Sequence, residues 1–337
     1  MPEKPLQPSL MADPNPSVGD IHVDVLIIGG GFAGGTLAAA LGDTSLKVCM
    51  VDRADPCDAL DATFDGRAFA ISQSNQKLLQ GTGLWPLLAE TSAPILDIRV
   101  SDGPSLLFLH YDHQTVGAEP MGYMIENHHL RVALHERLKA QPGLTQLAPG
   151  QVVALERDGG GVRAELSDGR RVRAQLAVGA DGRGSDTRAS AGIELTQWSY
   201  RQTGIVCTVR HECSHDYVAQ ERFLPAGPFA ILPLMGDTPG AANRSSIVWT
   251  EREDLAPAMM TLDDDAFAQE LTRRFGSFLG EVEVIGPRWA YPLSLQYARE
   301  TIATRLVLIG DAAHGMHPIA GQGLNMGLRD VPALAEV

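Results

Sequence analysis

Residues 23–41 read VDVLIIGGGFAGGTLAAAL. Val23–Ile28 is a short β-branched run without polar alternation, which suits a strand buried on both faces. Gly29-x-Gly31-x-x-Gly34 follows at once, and Phe32–Leu41 is Ala-rich and helix-prone. In a strand–turn–helix of this kind the first glycine allows the tight turn. The second lets backbone approach a pyrophosphate, and the third lets helix pack on strand. Phosphate charge then meets the free amides and positive dipole end of the helix. Alone the pattern is weak, because a chain with 35 glycines would show about 0.4 such matches by chance. Its context decides the matter. Leu46–Val51 reads as a second buried strand, and Asp52 closes it where a ribose hydroxyl needs an acceptor. The bland reading of Asp52 is a solvated strand-end carboxylate. This β–α–β opening predicts a dinucleotide-binding parallel sheet.

Working outward, Ser72–Gly81 and Asn127–Ala140 read as helices. Gln151–Leu155, Gly161–Leu166 and Arg170–Val178 read as short strands of a meander. Residues from about Leu195 to Ala298 change character. Gly204–Arg210, Phe229–Leu234 and Ser246–Thr250 alternate as in a mostly antiparallel sheet, with one helix at Asp263–Phe275. Arg305–Ile309 returns to a buried strand, and a Gly-rich turn leads to a last helix near Leu324.

The chain of 337 residues has a net charge of −14 and 44% hydrophobic residues. It reads as an ordinary globular protein, and the acidity argues against nucleic acid as a partner. Cys49, Cys57, Cys207 and Cys213 lack CxxC spacing, so neither a zinc ribbon nor a dithiol centre is indicated. Cys49 reads as a buried inert thiol, and so few cysteines suit a reducing compartment. Residues 1–20 are Pro-rich and lack an apolar segment, so they read as a loose tail and not a signal peptide. Residues 23–41 are too Gly-rich for a convincing membrane span. A cytoplasmic location is expected, peripheral contact with the inner membrane remaining open.

Three further motifs carry chemistry. Gly310-Asp311 puts a carboxylate at the tip of a buried strand, where open α/β sheets bind ligands. Asp311 could accept from ribityl hydroxyls or simply cap a helix. Ala320-Gly-Gln-Gly-Leu-Asn-Met-Gly327 brings bare amides to a helix start, suited to stabilising charge on a reduced flavin or to close packing. Val178–Arg188 runs a strand into an Asp181-Gly182 turn, a common turn type in its own right. His314 and His317 form an HxxH without a third ligand nearby, and no metal is assigned.

Together GDAAHGMHPIAGQGLNMGLRD (Gly310–Asp330), DGRAFAIS (Asp65–Ser72), VGADGRGSDTR, ERFLPAGPFAILPL (Glu221–Leu234) and YPLSLQYA (Tyr291–Ala298) resemble the ubiquinone-biosynthesis FAD-dependent hydroxylases, a family of group A flavoprotein monooxygenases. The resemblance implies a glutathione-reductase-like FAD-binding Rossmann domain with an inserted antiparallel β-sheet substrate domain, as in p-hydroxybenzoate hydroxylase. Residues 21–92, 115–194 and 299–337 would form the FAD-binding domain, and 93–114 with 195–298 the substrate domain.

It further implies FAD diphosphate at Gly29, Gly31 and Gly34, and adenosine ribose at Asp52. Arg67 and Asn127 would lie along the phosphate–ribityl chain. Asp181 and Gly182 would serve FAD and the nicotinamide cofactor. Gly310 and Asp311 would hold the ribityl chain, Gly321, Gln322, Gly323, Leu324 and Asn325 would back the isoalloxazine ring, and the Pro318 carbonyl would lie near the reactive flavin carbon.

The implied reaction is hydroxylation of a prenylated phenol by NADH or NADPH and O2 through a flavin hydroperoxide. Other quinone-biosynthesis proteins or the membrane surface are the further partners it allows. Family members continue for several dozen residues beyond the GLRD motif, whereas this sequence ends seven residues after Asp330. That difference leaves open an impaired paralogue acting as a scaffold or lipid-binding subunit. A flavin-dependent halogenase is the weaker alternative, since none of Trp85, Trp198, Trp249 and Trp289 lies in a WxWxIP motif.

Overall fold

The computed structural model describes residues 20–61, 66–103, 105, 107–139, 141–238 and 240–337. Most of the expected N-terminal tail, together with Asp65 and Ala140, lies outside them. A six-stranded sheet runs in the order Ile302–Ala303, Leu306–Leu308, Leu176–Gly179, Val25–Ile28, Val48–Val51, Leu144–Leu147. All neighbours pair in parallel except the edge hairpin of the first two. Val25–Ile28 and Val48–Val51 are buried at every position, as strands covered on both faces must be.

On one face the helices Phe32–Leu41, Asn127–Lys139 and Gln322–Ala335 share a core with Ile27, Met50 and Val178. Gly35 permits the close approach of helices, since a Cβ there would lie 2.7 Å from Leu134. The other face is covered by a four-stranded sheet of Ile21–His22, Arg171–Ala174, Gly161–Leu166 and Val152–Asp158. The expected single strand Arg170–Val178 is in fact two strands, in two different sheets. The amides of Gln175 and Leu176 both donate to the Asp24 carbonyl, at 3.0 and 3.2 Å. That fork makes the chain step from one sheet to the next.

The region from Leu195 onward forms an eight-stranded sheet around two long antiparallel strands, Leu195–His211 and Val282–Ala298. It continues through Arg244–Arg252, Gly227–Leu234, Val218–Leu224, Asp97–Asp102 and Phe108–Asp112, and His314–Gly315 pairs with Val282–Ala298 at its other edge. One face is closed by the helices Ala256–Met260 and Asp264–Phe275. There Phe229, Ile231 and Trp249 pack against Phe267 and Leu271. Arg274 stacks over Trp249 at 4.1 Å and Arg288 over Phe267 at 4.6 Å, which covers aromatic surface with cations. Asp263 caps the longer helix by accepting from the Ala266 amide. Phe229 and Ile231 are thus core residues. Ala230 and Leu232, half-buried, point from the opposite face. A small sheet of Ala68–Ser72, Gly122–Glu126 and Ala93–Ile95 packs there, with Met124 and Ile95 meeting Ala219 and Leu234.

Phe267→Ala should cost about 3–5 kcal/mol of stability, read as a lower urea midpoint. Because Phe267 lies on the helix-covered side of this sheet, FAD affinity of the folded variant should stay at the wild-type value.

Candidate active site

At the first turn the three glycines divide their work as their geometry requires. A Cβ on Gly29, whose φ is +108°, would collide with the Ala180 carbonyl, and one on Gly34 would collide with the Gly29 carbonyl. Around Gly31 there is nothing within 4 Å. The first and third positions are therefore filled by protein, and the second is left for a ligand. Gly31 is also the N-cap of Phe32–Leu41, with no side chain capping the helix and no acidic residue in its first turn. A cleft of about 350 Å³ opens here, lined by Gly29, Gly31, Asp52, Asp181 and Gly182 among others. Asp52 accepts from the Gly30 amide and, at 2.7 Å, from the Ala54 amide, so its carboxylate is fixed at the rim. These features fit a dinucleotide diphosphate and its ribose.

The Asp181 carboxylate accepts from the Ser185 hydroxyl and from the Thr187 amide at 3.0 Å. Gly182 follows at φ +82° with open space beside it. Arg188, which sequence reading left without a role, is only 6% exposed. Its guanidinium donates to the Ala312 carbonyl at 2.9 Å and to the Arg183 carbonyl at 2.8 Å. Burial pulls its pKa down while Asp181 opposes this. Arg188 thus ties the Asp-Gly turn to the Gly310-Asp311 turn. Gln296 adds a second tie, donating to the carbonyls of Arg183 and Asp311. Neither tie is visible in the sequence, since Arg188 reaches Ala312 and Gln296 reaches Arg183 across more than a hundred residues.

Gly310, at φ +58°, abuts the first helix, a Cβ there falling 3.0 Å from Ala33. The exposed Asp311 carboxyl is nonetheless flanked by enough protein for desolvation to raise its pKa, against the pull of Arg183 and His314. The second glycine-rich turn is built on left-handed backbone at Ala320 (φ +54°) and Gly321 (φ +61°). For alanine that conformation costs roughly 1–2 kcal/mol. Gly321 is the N-cap of Gln322–Ala335 and, like Gly31, caps nothing with a side chain. Gly323 has open space around it. The Pro318 carbonyl accepts from the Gly321 amide at 2.9 Å, and Gln322 donates to the Ala320 carbonyl.

Asn325 is fully buried, and its amide uses all four of its hydrogen-bonding positions. Its Oδ1 accepts from the Ser72 amide and from Asn75, and its Nδ2 donates to the carbonyls of Ala70 and Gly321. Its side chain therefore locks the turn and has no capacity left for a ligand. Arg67 and Asn127 are brought together by the Asn127 amide, which donates to the Arg67 carbonyl at 2.9 Å.

The two tempting histidines have separate environments. His317 stacks edge-on against Tyr200, and its Nδ1 accepts from the Ile319 amide. His314 meets Asp330 at 2.9 Å, and the same carboxylate oxygen accepts from the Gly310 amide. The Asp330 hydrogen bond holds the His314 pKa above its ordinary value, with burial opposing. Among the described residues, Asp97, Asp112 and His113 form a group with ligand atoms close enough for a metal ion, on the edge hairpin. Its carboxylates already pair with His110 and His113. Cys49 and Cys207 are buried and pushed up to about 12, hence inert thiols.

A histidine whose pKa is raised on folding stabilises the fold fully below its unfolded value, near 6.5, and loses that contribution as pH rises through the folded value. Asp330→Asn keeps the acceptor for Gly310 but removes the charge. It should lower stability by on the order of 1 kcal/mol at about pH 6 and by much less at about pH 9. Urea midpoints at the two pH values check this.

Comparison with known proteins agrees with this geometry. Residues 22–337 match the FAD binding domain family. The ubiquinone hydroxylase UbiL of Rhodospirillum rubrum is 56% identical over 317 residues, covering 94% of this chain and 72% of that one. The 3-demethoxyubiquinol 3-hydroxylase of Escherichia coli is 34% identical, over 93% of this chain and 79% of the relative. Among solved structures, PqsL, a probable FAD-dependent monooxygenase from Pseudomonas aeruginosa, superposes with a TM-score of 0.77 at 22% identity, covering 94% of this chain and 85% of that chain. The p-nitrophenol 4-monooxygenase PnpA from Pseudomonas putida gives 0.75 at 20% identity, covering 94% and 79%. At such identities the superpositions speak for the fold, which is that of the p-hydroxybenzoate-hydroxylase-like flavoproteins. The chain is a member of the FAD binding domain family to which the ubiquinone hydroxylases belong, and it is an FAD-dependent monooxygenase.

Proposed function

We propose that this monooxygenase hydroxylates the aromatic ring of a prenylated phenol in ubiquinone synthesis, with NADH or NADPH and O2 as co-substrates. Bound FAD would supply the redox chemistry, namely hydride acceptance from NAD(P)H and activation of O2. The protein contributes binding, orientation and exclusion of water. In this reading Gly29, Gly31, Gly34 and Asp52 hold the diphosphate and adenosine ribose. Arg67 and Asn127 follow the phosphate–ribityl chain. Asp181 and Gly182 serve both cofactors, and Gly310 with Asp311 takes the ribityl hydroxyls. The helix start at Gly321–Asn325 would back the isoalloxazine ring through its amides, beside the Pro318 carbonyl. Residues 93–114 and 195–298 are assigned to the substrate side.

The observation that carries the substrate reading is what the arginines do. A benzoate-type acid would call for a guanidinium fork, and Arg210, Arg222 and Arg244 are arginines of the large sheet that could build one. Instead Arg210 pairs with Asp237 and Glu283. Arg244 pairs with Glu126 and Asp237, and Arg222 donates to the Arg274 carbonyl. Each has protein acceptors, while the sheet face turned from the helices carries Val206, Val248, Ala230 and Leu232 between its polar side chains. A prenyl tail also argues for work at the inner-membrane surface. No helix among the described residues is long and apolar enough to cross a membrane. The edge hairpin exposes Leu107, Phe108, Leu109 and Tyr111, which suits surface contact. Nothing observed favours the scaffold or halogenase alternatives.

Asp311→Ala should weaken FAD binding roughly 10- to 100-fold, the loss of about 1.5–3 kcal/mol for a hydrogen bond involving a charged group. Asp181→Ala should weaken it less and also slow reduction by NAD(P)H. Flavin fluorescence titrations measure both, and equal affinities for wild type and Asp311→Ala would remove Asp311 from the site. For the substrate, FAD-loaded protein with NAD(P)H and labelled O2 should place one labelled oxygen on a prenylphenol and none on hydroxybenzoate. Turnover of hydroxybenzoate alone would reverse the substrate assignment.

A further inference from the structure

One cross-strand row of the large sheet runs Trp289, Val206, Val248, Ala230, Glu221, Val100, each directly paired with the next. Paired residues share a face. The residues alternating with them, such as Ile205, Ile231 and Ile247, lie buried under the two helices, so the row faces the other way, toward the flavin-side turns. The row meets those turns at Trp289, its first member, and at Glu221, its last but one. A Cβ on Gly66, next to Arg67, would lie 3.9 Å from the Trp289 ring. Near the other edge the Ala320 amide donates toward the Glu221 carboxylate.

Val206, Val248, Ala230 and Glu221 are all half-buried, which leaves a shallow apolar bed with one carboxylate in it. In the flanking rows on the same face the hydroxyls of Thr208, Ser246 and Thr250 are buried without hydrogen-bond partners.

We propose that Glu221 is a catalytic residue of the hydroxylation step, holding the phenol hydroxyl and taking its proton while the ring lies on the apolar row. The assignment rests on the prenylphenol reading above. The Ala320 amide lies on the side of the Glu221 carboxylate, and the half-buried carboxylate stands at the edge of the apolar row where the phenol ring would lie. Burial raises the Glu221 carboxyl, with the Ala320 amide pulling it partly back, which moves the group toward the range where a general base works.

Neighbouring charges do not compete for it. Arg222 is turned to the Arg274 carbonyl, Arg99 stacks on Phe108, and His317 lies against Tyr200. In the step the phenol O–H bond breaks and its proton moves to Glu221. The freed electron pair pushes through the ring, and a ring carbon bonds the oxygen atom derived from O2 as its O–O bond breaks. The oxygen joins the ring as OH. The second oxygen leaves as water with the proton released from the ring C–H and one more from the NAD(P)H-reduced cofactor, whose two electrons are consumed as the O–O bond breaks. Glu221 returns its proton to the original oxygen as aromaticity is restored.

The test compares FAD-loaded wild type, Glu221→Gln and Glu221→Asp on a prenylphenol and its O-methyl ether. Gln keeps an acceptor for Ala320, so FAD affinity should hold. Hydroxylation should fall roughly 10²–10⁴-fold. The wild-type loss of kcat/KM on acidification through the raised carboxyl pKa should vanish. Binding, followed by protein fluorescence, should lose the preference for phenol over ether that wild type shows. Glu221→Asp should recover part of the rate together with the acid limb.

Wild-type rate and phenol preference in Glu221→Gln would overturn the assignment, as would an acid limb that survives there and disappears in His317→Gln. If Glu221→Gln loses FAD, rates at saturating FAD decide, and full recovery reduces Glu221 to a clamp on Ala320. Wild type that neither binds nor hydroxylates a prenylphenol defeats the substrate reading itself, and this proposal with it.

Discussion

Two helices of this protein, Phe32–Leu41 and Gln322–Ala335, begin at glycines and leave their first amides without a side-chain cap. An uncapped helix start is a defect unless something else satisfies its donors. Here both starts adjoin open space at a glycine, Gly31 in one and Gly323 in the other, and the second helix rests on the first through Gly310 and Ala33. A long, negatively charged cofactor whose two ends need donors is the ligand this arrangement suits. The rest of the architecture keeps those two starts in register.

The means of keeping them there are polar and mostly buried. Arg188 and Gln296 draw the Asp181-Gly182 turn, the Gly310-Asp311 turn and the large sheet onto common carbonyls. Asn325 uses its whole hydrogen-bonding capacity to hold the Ala320–Gly321 turn against the strand Ala68–Ser72. A left-handed alanine next to such a lock is tolerable because the surroundings over-determine it. The same amide of Ala320 looks across at Glu221. The large sheet and the turn before helix Gln322–Ala335 therefore also meet at Ala320.

Helix and strand positions in the parallel sheet were legible because they depend on local patterns. Unalternated β-branched runs become strands buried on both faces, and the helix expected at Ser72–Gly81 runs over Gln73–Gly81 behind a Ser72 cap. The strand expected at Arg170–Val178 was misjudged. Its break depends on Asp24, some 150 residues earlier, accepting two consecutive amides. For the same reason Arg188, Gln296 and the His314–Asp330 pair carried no readable signal of their own, although His314 and Asp330 both stand inside a quoted motif.

The sequence by itself determined that a dinucleotide fold begins in the run Val23–Ile28 and that a second glycine-rich helix start follows a buried strand. Steric rules at Gly29 and Gly34 and β-branched burial act within a few residues, so they can be read along the chain. Only the tertiary structure decided which polar groups remain available. It spent the Asn325 side chain on a turn, matched Arg210, Arg222 and Arg244 with protein acceptors, and set Glu221 on an apolar row facing Ala320. Those outcomes depend on sheet register and on long-range hydrogen-bond competition, which no local pattern encodes.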